Sequence, residues 1–351
     1  MDNLRTGPQW AVSRHDLHAI TAAYGLTATG DPQALGGATN GVVRLGTDRG
    51  EGVVRVHRPW TTPARIESIH AIQQHLRHRG LPVPEVLRTV DGQTWSLLGD
   101  RLVEVAAYVP SDGPADTWER MEAAAALLGP LHAALASLSP SSLVPPAYSG
   151  HATPQRALQM LGVTEQAFHT NHTQEGHAES AVARAATYDL LRTLAGERSQ
   201  YAPSLPTQLI HGDYGADNVL MRRDEVAAIL DFDLMAHRER IAELAYTLYW
   251  SLDRLRGSTT AHSIREPDLR RAAALLHRYI TAAPPISQAE IEALPFEMAR
   301  VPLYPIVEAG YAATTPYLPG AIARTLAFAR HIPISRWLIR EAARISRILA
   351  P

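Results

Sequence analysis

The segment LIHGDYGADNVLMRRDEVAAILDFD, residues 209–233, constrains this chain more than any other part of it. Two β-prone pieces, NVLM and VAAILDFD, flank the turn-like RRDE and predict a hairpin. Asp213 and Asn218 lie five residues apart in the glycine-containing loop before it, and the hairpin brings Asp231 back beside that loop. The sequence thus predicts a cluster of carboxylate and amide oxygens within an otherwise helical stretch.

Such oxygens are hard ligands of the kind that Mg²⁺ takes. Phosphoryl transfer needs these ligands, a carboxylate near the attacking hydroxyl, and positive charge on the phosphates. The arrangement is that of a catalytic loop followed by a metal-binding aspartate. The alternative is an ordinary hairpin whose Asp and Asn residues make turns, because both residue types favour turns. The order His, Gly, Asp, Asn and then D-F-D at this spacing argues against that alternative.

Composition excludes several other chemistries. The 351 residues include no cysteine, so disulfides, thiolate nucleophiles and Cys-ligated zinc are ruled out. All 33 basic residues are arginine, which excludes a P-loop or a Schiff-base lysine. The formal net charge of −2 does not indicate a nucleic-acid partner. The sequence shows no signal peptide or membrane span, so we expect a cytoplasmic protein with no membrane partner.

The composition and periodicity of the sequence change near Pro110. Before it, β-branched runs such as VVRL and GVVRV predict strands, and TPARIESIHAIQQHLRHRG predicts one helix. After it, Ala- and Leu-rich segments predict helices, and we expect the last, residues 321–349, to be broken or kinked at Pro333. We therefore predict an α+β chain with a β-rich N-terminal domain, residues 1–108, and a helical C-terminal domain, residues 109–351.

The run HGDYGADNVL followed by ILDFD resembles the signature of the aminoglycoside phosphotransferase and choline kinase superfamily. LGPLHAAL (128–135), GLPVPEVL (80–87) and RIAELAYTLYW (240–250) are similar to further family segments, the last with Glu243 where Asp is more usual. The resemblance spans about residues 35–250. It implies a two-lobed, protein-kinase-like fold with a small β-rich N-lobe and a mostly helical C-lobe.

The resemblance also implies roles for the motif residues. Asp213 resembles the catalytic base that orients and deprotonates the acceptor hydroxyl. Asn218 and Asp231 resemble the Mg²⁺ ligands, and Asp233 resembles a second acid that helps with metal or substrate. His211 is expected to support the loop through hydrogen bonds. The co-substrate would be ATP or GTP, and the partner a small-molecule hydroxyl acceptor.

The turn LGGATN is similar to the family's phosphate-covering loop. On this resemblance Gly36, Gly37, Thr39 and Asn40 are nucleotide-binding residues. A glycine-rich turn lets backbone N–H groups approach phosphate oxygens, although any hairpin can carry two glycines.

The next strand departs from the family pattern, because Arg55 stands where the family has a phosphate-holding lysine. Arginine is always charged, and its planar guanidinium can bind a phosphate through two hydrogen bonds. The alternative is that Arg55 is an ordinary strand residue and that the phosphates are held otherwise. The lysine's usual partner is a helix glutamate. Glu67 is the one acidic residue on that helix, but it lies one or two positions before the place where the family's glutamate is expected. The alternative to an Arg55–Glu67 pair is therefore a Glu67 side chain exposed to solvent. LVEVAAYVPSDG is similar to the family's hinge, which places Glu104 and Tyr108 near the nucleotide.

We therefore expect a Mg²⁺-dependent phosphotransferase acting on a small-molecule hydroxyl, first of all that of an antibiotic or other natural product. Homoserine-, choline- or sugar-type metabolites are alternative acceptors, and protein Ser/Thr hydroxyls are another. The rival function is a pseudokinase that binds a nucleotide or a partner, in which the missing lysine marks lost transfer. The intact Asp213, Asn218 and Asp231 argue against that rival.

Overall fold

The computed structural model describes residues 3–7, 10–36, 40–146, 151–169, 176–255, 264–313 and 321–351. The chain forms two compact units. The first unit consists of Met1–Asp112, Ser141–Ala147 and Ala227–Leu230, and the second of Gly113–Pro140, Tyr148–Val226 and Asp231–Pro351. The division into domains of residues 1–108 and 109–351 stays a prediction.

The first unit is rich in antiparallel strands. Its strands are β1 (Asn3–Gly7), β2 (Trp10–Ser13), β3 (Ala28–Gly36), β4 (Gly41–Thr47), β5 (Gly50–Val56), β6 (Ser96–Leu98) and β7 (Arg101–Ala107). β1 pairs with β2, and the other five form one sheet in the order β3-β4-β5-β7-β6. Along β5, buried Val54 and Val56 alternate with partly exposed Val53 and Arg55, so the two sets face opposite sides of the sheet.

Two helices complete the first unit, α1 (Arg14–Ala23) and α2 (Pro63–His78). A capping box starts α1, because the Ser13 hydroxyl accepts from the Asp16 N–H and the Asp16 carboxylate accepts from the Ser13 N–H. Leu17 and Ile20 of α1 lie in one apolar cluster with Val54 of the sheet. Burying a side chain of this size stabilises the fold by about 1.5–3 kcal/mol.

Most of the described part of the second unit is helical. Its helices are α3 (Trp118–Ala136), α4 (Pro154–His169), α5 (His177–Tyr201), α6 (Arg240–Leu255), α7 (Glu266–Ala282), α8 (Gln288–Arg300), α9 (Tyr304–Ala313), α10 (Ala321–Ala329), α11 (Ile332–Arg340) and α12 (Ala342–Leu349). In α3, Leu128, Leu131 and Leu135 recur at helical spacing and are fully buried. Within the described ranges, no helix is long and apolar enough to cross a membrane.

Short strands in this part of the chain position the predicted motif. They are β8 (Gly113–Pro114), β9 (Thr207–Ile210), β10 (Val219–Arg222), β11 (Glu225–Ile229) and β12 (Ala236–Glu239). β10 lies between β11 and β8, and β12 pairs antiparallel with β9. The strands predicted from NVLM and VAAILDFD are therefore present as β10 and β11.

The predicted α+β class is confirmed, with a β-rich N-terminal region and a helical C-terminal region. The predicted break in residues 321–349 is present, and it falls just before Pro333. α10 ends at Ala329 and α11 begins at Ile332, so Pro333 lies in the first turn of α11, where its missing N–H has no helical partner to lose. The pattern missed β3, whose Gly30, Asp31 and Pro32 are unfavourable in strands.

Candidate active site

Two segments of the motif leave the same end of a small antiparallel sheet in the second unit. Ile210 at the end of β9 is paired with Ala236 at the start of β12. The loop with Asp213 follows Ile210, and the segment with Asp231 and Asp233 precedes Ala236. Because paired strand ends are adjacent, the sheet holds both segments at one place.

Gly212 is the point where these two segments approach each other most closely. Its φ is 86°, and a Cβ built on it would lie 2.0 Å from the carbonyl oxygen of Leu234. The positive φ also disfavours any residue with a side chain. Glycine is therefore required in the HGD sequence, because it lets the loop with Asp213 contact the segment that follows Asp231.

Glu243 of α6 fixes the backbone of this loop. Its fully buried carboxylate accepts hydrogen bonds from the backbone N–H groups of His211, at 3.0 Å, and Gly212, at 2.5 Å. Nε2 of His132 on α3 lies 2.8 Å from the same carboxylate. Burial alone would raise the pKa of Glu243, but the hydrogen bond with His132 and the attraction of neighbouring imidazoles lower it to about 2. The carboxylate therefore stays ionised and holds the loop.

The Asp213 carboxylate contacts a tyrosine of α6. The partly buried Tyr246 donates a short hydrogen bond from its hydroxyl to Oδ1 of Asp213. Burial raises the pKa of the Tyr246 hydroxyl well above 10, and the charge of Asp213 raises it further, so the hydroxyl stays a donor. The charges of Glu308 and Asp231 act on this pKa in the same direction.

Asn218 is tied to the same loop. The nitrogen of its side-chain amide donates a hydrogen bond to the carbonyl oxygen of Asp213 at 2.8 Å. The oxygen of the same amide is not used in this hydrogen bond. Asp231 has φ 60° and ψ 70°, in the left-handed region. That conformation costs an Asp residue about 1 kcal/mol or more, and it persists here at a position that the sequence predicts to be functional.

The predicted metal ligands form an incomplete set by themselves. Across the described ranges, no group of three or more His, Asp or Glu side chains could hold a metal ion. Mg²⁺ suits such a set, because proteins commonly hold it with one or two carboxylates together with substrate phosphates. The amide oxygen of Asn218 and the carboxylate of Asp231 fit that requirement, with Asp233 two residues further along.

Two histidines support the loop from inside the unit. Nδ1 of the buried His211 accepts from the backbone N–H of Asp213 at 3.2 Å. Nε2 of His151 donates to the carbonyl oxygen of Gly212 at 2.9 Å. Burial and the positive charge of Arg300 lower the pKa of His151 to about 3, so the neutral ring makes this contact. The supporting role of His211 stays a prediction, and its hydrogen bond from the Asp213 N–H is the contact that favours it.

Only part of the predicted phosphate-covering loop lies among the described residues. Gly36 ends β3 and pairs with Val42 of β4, and Asn40 is buried just before β4. Gly37 and Thr39 lie outside the described residues. The nucleotide-binding roles of these four positions stay predictions.

Arg55 pairs with a strand residue and not with a helix residue. It lies opposite Glu104 in the β5–β7 ladder, and its Nη1 is 4.0 Å from Oε1 of Glu104. Glu67 lies on the exposed side of α2, where its carboxylate accepts from Nε1 of Trp95 at 2.9 Å. α2 instead brings His70 to Glu104, with 2.5 Å between Nε2 and Oε2. The structure therefore does not bring Arg55 and Glu67 together.

Tyr108 lies in the segment predicted to meet the purine base. Its ring is covered by the guanidinium of Arg44, 3.9 Å from the ring centroid. Its backbone N–H donates to the carbonyl of Glu51 at 3.0 Å, and the Ala107 N–H donates to Glu85 at 2.8 Å. Both N–H groups are therefore used inside the first unit, and the role of Tyr108 at the nucleotide stays a prediction.

Sequence reasoning missed several residues that hold the candidate site, among them Tyr246, His132 and His70. Tyr246 lies three positions after Glu243 on α6, and residues at that spacing share a helix face, so a signal was present. His132 and His70 had no such local signal. Their partners are 111 and 34 residues away in the sequence, respectively.

The loop with Asp213 lies in a helical unit, and a β-rich unit contains most of the chain before it. A sequence profile of the phosphotransferase enzyme family matches residues 32–294, and the chain belongs to that family. A homoserine kinase from Hyphomonas neptunium (strain ATCC 15444) is 25% identical over 339 residues, which cover 92% of this chain and 96% of the relative.

Solved structures share the fold. The microcompartment-associated aminopropanol kinase superposes with a TM-score of 0.65 at 17% identity, covering 93% of this chain and 96% of that one. An amicoumacin kinase in complex with AMP-PNP, Ca²⁺ and Ami gives a TM-score of 0.61 at 14% identity, with 88% of each chain covered. At these identities the likeness is one of fold.

Proposed function

We propose that this protein is a small-molecule O-phosphotransferase that moves the γ-phosphate of ATP or GTP onto a hydroxyl in the presence of Mg²⁺. The observation that carries the proposal is the loop of Asp213, to which Asn218 is hydrogen-bonded and against which the segment after Asp231 packs at Gly212. Membership of the phosphotransferase enzyme family supports the reaction class.

In this proposal Asp213 accepts a hydrogen bond from the acceptor hydroxyl and takes its proton as the new O–P bond forms. Oδ1 of Asp213 accepts from Tyr246, and an ionised carboxylate has about four acceptor positions, so this contact leaves room for the acceptor hydroxyl. Because the Tyr246 hydroxyl stays protonated, it holds the carboxylate in one orientation.

Asn218 and Asp231 would hold Mg²⁺, which when bound offsets the charge of the β- and γ-phosphates. Asp233 is a second acid available to metal or substrate. The phosphate contacts would come from Arg55, Gly36, Gly37, Thr39 and Asn40. The roles of Glu104 and Tyr108 at the nucleotide are less direct, because Glu104 contacts Arg55 and the Tyr108 ring is covered by Arg44.

A charged pair near Tyr246 favours an acceptor that carries an amino group. Glu308 of α9 is close enough to act on the pKa of the Tyr246 hydroxyl, and it forms an ion pair with Arg324 of α10 at 3.2 Å. A carboxylate attracts an ammonium group, and an arginine attracts a carboxylate. A hydroxy amino acid of the homoserine type fits both charges, and the homoserine kinase relative supports this candidate. An antibiotic or other natural product is the second candidate, because an amicoumacin kinase shares the fold.

A panel of acceptors tests the proposal. The protein is incubated with Mg²⁺ and ATP or GTP together with homoserine, 1-amino-2-propanol, choline, a simple sugar or an aminoglycoside, and products are followed by ³¹P NMR. We expect a phosphate ester with at least one amine-bearing acceptor. Asp213→Asn should bind nucleotide normally but lose about 10²–10⁴-fold in kcat, the usual contribution of a general base.

Nucleotide binding separates a kinase from a pseudokinase. A nucleotide at a hundredfold excess over its Kd stabilises the folded state by about 2.7 kcal/mol, which a thermal shift detects. We expect ATP or GTP to stabilise the wild type with Mg²⁺, and Asp231→Asn to remove the Mg²⁺ dependence. Binding of nucleotide without transfer to any acceptor in the panel would favour the pseudokinase, and no stabilisation by either nucleotide would contradict the nucleotide site itself.

Two variants then identify the acceptor class. With homoserine, both Glu308→Gln and Arg324→Gln should raise the acceptor KM. With an acceptor that has no carboxylate, only Glu308→Gln should do so. Arg344→Gln is the matched control, because Arg344 forms an exposed ion pair with Glu266 at 3.0 Å.

A further inference from the structure

Four side chains meet in the first unit between α2 and the β5–β7 ladder. Arg55 lies on β5, His57 follows that strand, Glu104 lies on β7 and His70 on α2. Their side chains are 15%, 2%, 11% and 3% exposed, respectively, so solvent screens their interactions only weakly. We call these four residues the Arg55 cluster.

The two carboxylate oxygens of Glu104 have different neighbours. Oε1 is 4.0 Å from Nη1 of Arg55. Oε2 is 3.1 Å from Nε2 of His57 and 2.5 Å from Nε2 of His70. An ionised carboxylate has about four acceptor positions, so one oxygen can be held by imidazoles while the other is directed at the guanidinium.

Glu104 is an anion in this environment. Burial would raise its pKa, but the charge and hydrogen bonding of His57, and then of His70, lower the pKa well below the usual range for glutamate. An arginine is charged at every working pH. The contact of Arg55 with Glu104 is therefore an ion pair whose geometry is set by two histidines.

We propose that Glu104, with its carboxylate oriented by His57 and His70, is the residue that positions Arg55 for the nucleotide phosphates. This inference rests on the proposed function, in which Arg55 contacts those phosphates. Arginine has a long side chain with many rotamers, so a fixed anion directly across the ladder limits the positions that its guanidinium can take.

Because Glu104 is a strand residue, its backbone position relative to Arg55 is set by the sheet. Glu104 and Arg55 face each other on hydrogen-bonded strands of one sheet, so their backbone separation is fixed by the ladder. α2 contributes the imidazole of His70 to the cluster, and its acidic residue Glu67 contacts Trp95 instead. The position of Arg55 therefore depends on the sheet first and on α2 second.

The competing explanation is that the His57–Glu104–His70 contacts only attach α2 to the sheet. A double variant distinguishes the two, because Glu104→Gln/His70→Glu removes those contacts yet keeps a carboxylate in the Arg55 cluster. A glutamate at position 70 brings its carboxylate close to the place where the imidazole now meets Glu104. Rescue is expected only if Arg55 needs an anion.

The experiment measures the Kd of Mg²⁺-ATP and Mg²⁺-GTP by titration calorimetry on the full chain, with thermal unfolding as a check on folding. We expect Glu104→Gln to weaken binding about tenfold, the effect of losing one charged contact. The double variant should recover most of this loss. Glu67→Gln, an exposed acid of α2, is the matched control and should stay within about twofold of wild type.

His70→Gln keeps the inference testable should Glu104→Gln not fold. This variant leaves Glu104 charged but in contact with only the imidazole of His57. The loss of nucleotide affinity should therefore be smaller than that of Arg55→Ala and larger than that of Glu67→Gln.

The outcomes separate this inference from the proposed function. If Arg55→Ala loses nucleotide affinity while Glu104→Gln binds as tightly as wild type or more tightly, the positioning role is overturned and the nucleotide site stands. If the folded double variant is as weak as the single variant, Glu104 has only the structural role. If the wild type binds neither nucleotide, both the function and the inference are overturned.

Discussion

Glu243 in the second unit and Glu104 in the first are both buried carboxylates that contact histidine side chains. They act on different groups. Glu243 binds two backbone N–H groups of the loop that carries Asp213, whereas Glu104 faces the side chain of Arg55. The same kind of ionised group therefore fixes a backbone in one unit and orients a side chain in the other.

The difference predicts which property of the protein a substitution in each unit will affect. Because Glu243 binds the loop through backbone N–H groups, this contact does not use the carboxylate of Asp213 or the side chain of Asn218. An arginine held through its side chain depends on three further side chains from separate elements. We therefore expect substitutions around Glu243 to affect stability and turnover together, and substitutions around Glu104 to affect mainly nucleotide affinity.

The largest expected effect is that of Glu243→Gln. It removes the charge that pairs with His132 and with the loop N–H groups, so the free energy of unfolding should fall by about 3–5 kcal/mol, as when a buried ion pair loses one partner. Urea unfolding monitored by circular dichroism measures this, with Glu266→Gln as the exposed control. A loss as small as that of Glu104→Gln would remove the contrast between the two carboxylates.

Gly212→Ala should reduce turnover about a hundredfold or more, because displacing a reacting group by about 1 Å is enough for such a loss. Its Cβ would lie 2.0 Å from the carbonyl oxygen of Leu234, so the loop must move. Gly215→Ala is the control within the same loop, since a Cβ there meets no atom within 4 Å and its φ is −147°. Equal activity of the two variants would show that the close approach is not needed.

Stability should fall as the pH is lowered from 6.5 to 4.5, because His151 is neutral in the fold. Its pKa is about 3 when folded and 6.5 when unfolded, so the unfolded chain binds the additional proton in this window. The loss attributable to His151 is about 2–3 kcal/mol. The contribution of Glu243, whose folded pKa is about 2, is present above the ordinary value of 4.5 and is lost only below it.

His151→Gln tests this, because its amide can still donate to the carbonyl of Gly212 but does not titrate. Urea unfolding at several pH values should give a shallower slope between pH 6.5 and 4.5 than the wild type does. Parallel curves for the two proteins would show that His151 is not the titrating group.

Tyr246→Phe has the smallest expected effect. It removes the hydroxyl that donates to Oδ1 of Asp213, which should lower kcat/KM for the acceptor about tenfold, the value of one hydrogen bond to a charged group. Nucleotide affinity should not change, in contrast to Glu104→Gln. Tyr188→Phe, at an exposed position, is the control. A change in nucleotide affinity would mean that the two carboxylate sites are not separable.

Much of the candidate site in the second unit was predictable as an arrangement of residues, because these residues lie within a short segment. Asp213, Asn218 and Asp231 occur within 25 residues, and the turn chemistry between β10 and β11 is local. The α+β class also followed from periodicity, since strands and helices repeat at different intervals. The need for glycine at position 212 was not predictable, because it depends on Leu234 approaching from a separate segment.

The sequence by itself determined the motifs of the family, the change from a β-rich N-terminal region to a helical C-terminal region, and the absence of lysine. The tertiary structure decided which acid Arg55 meets. Periodicity shows which residues share a face of α2, but it does not show how that face is turned toward the sheet. Glu67 and His70 differ by three positions, and the rotation of α2 brings His70 and not Glu67 to Glu104. Because partner choice depends on that rotation and on strand register, it is a property of the packed fold.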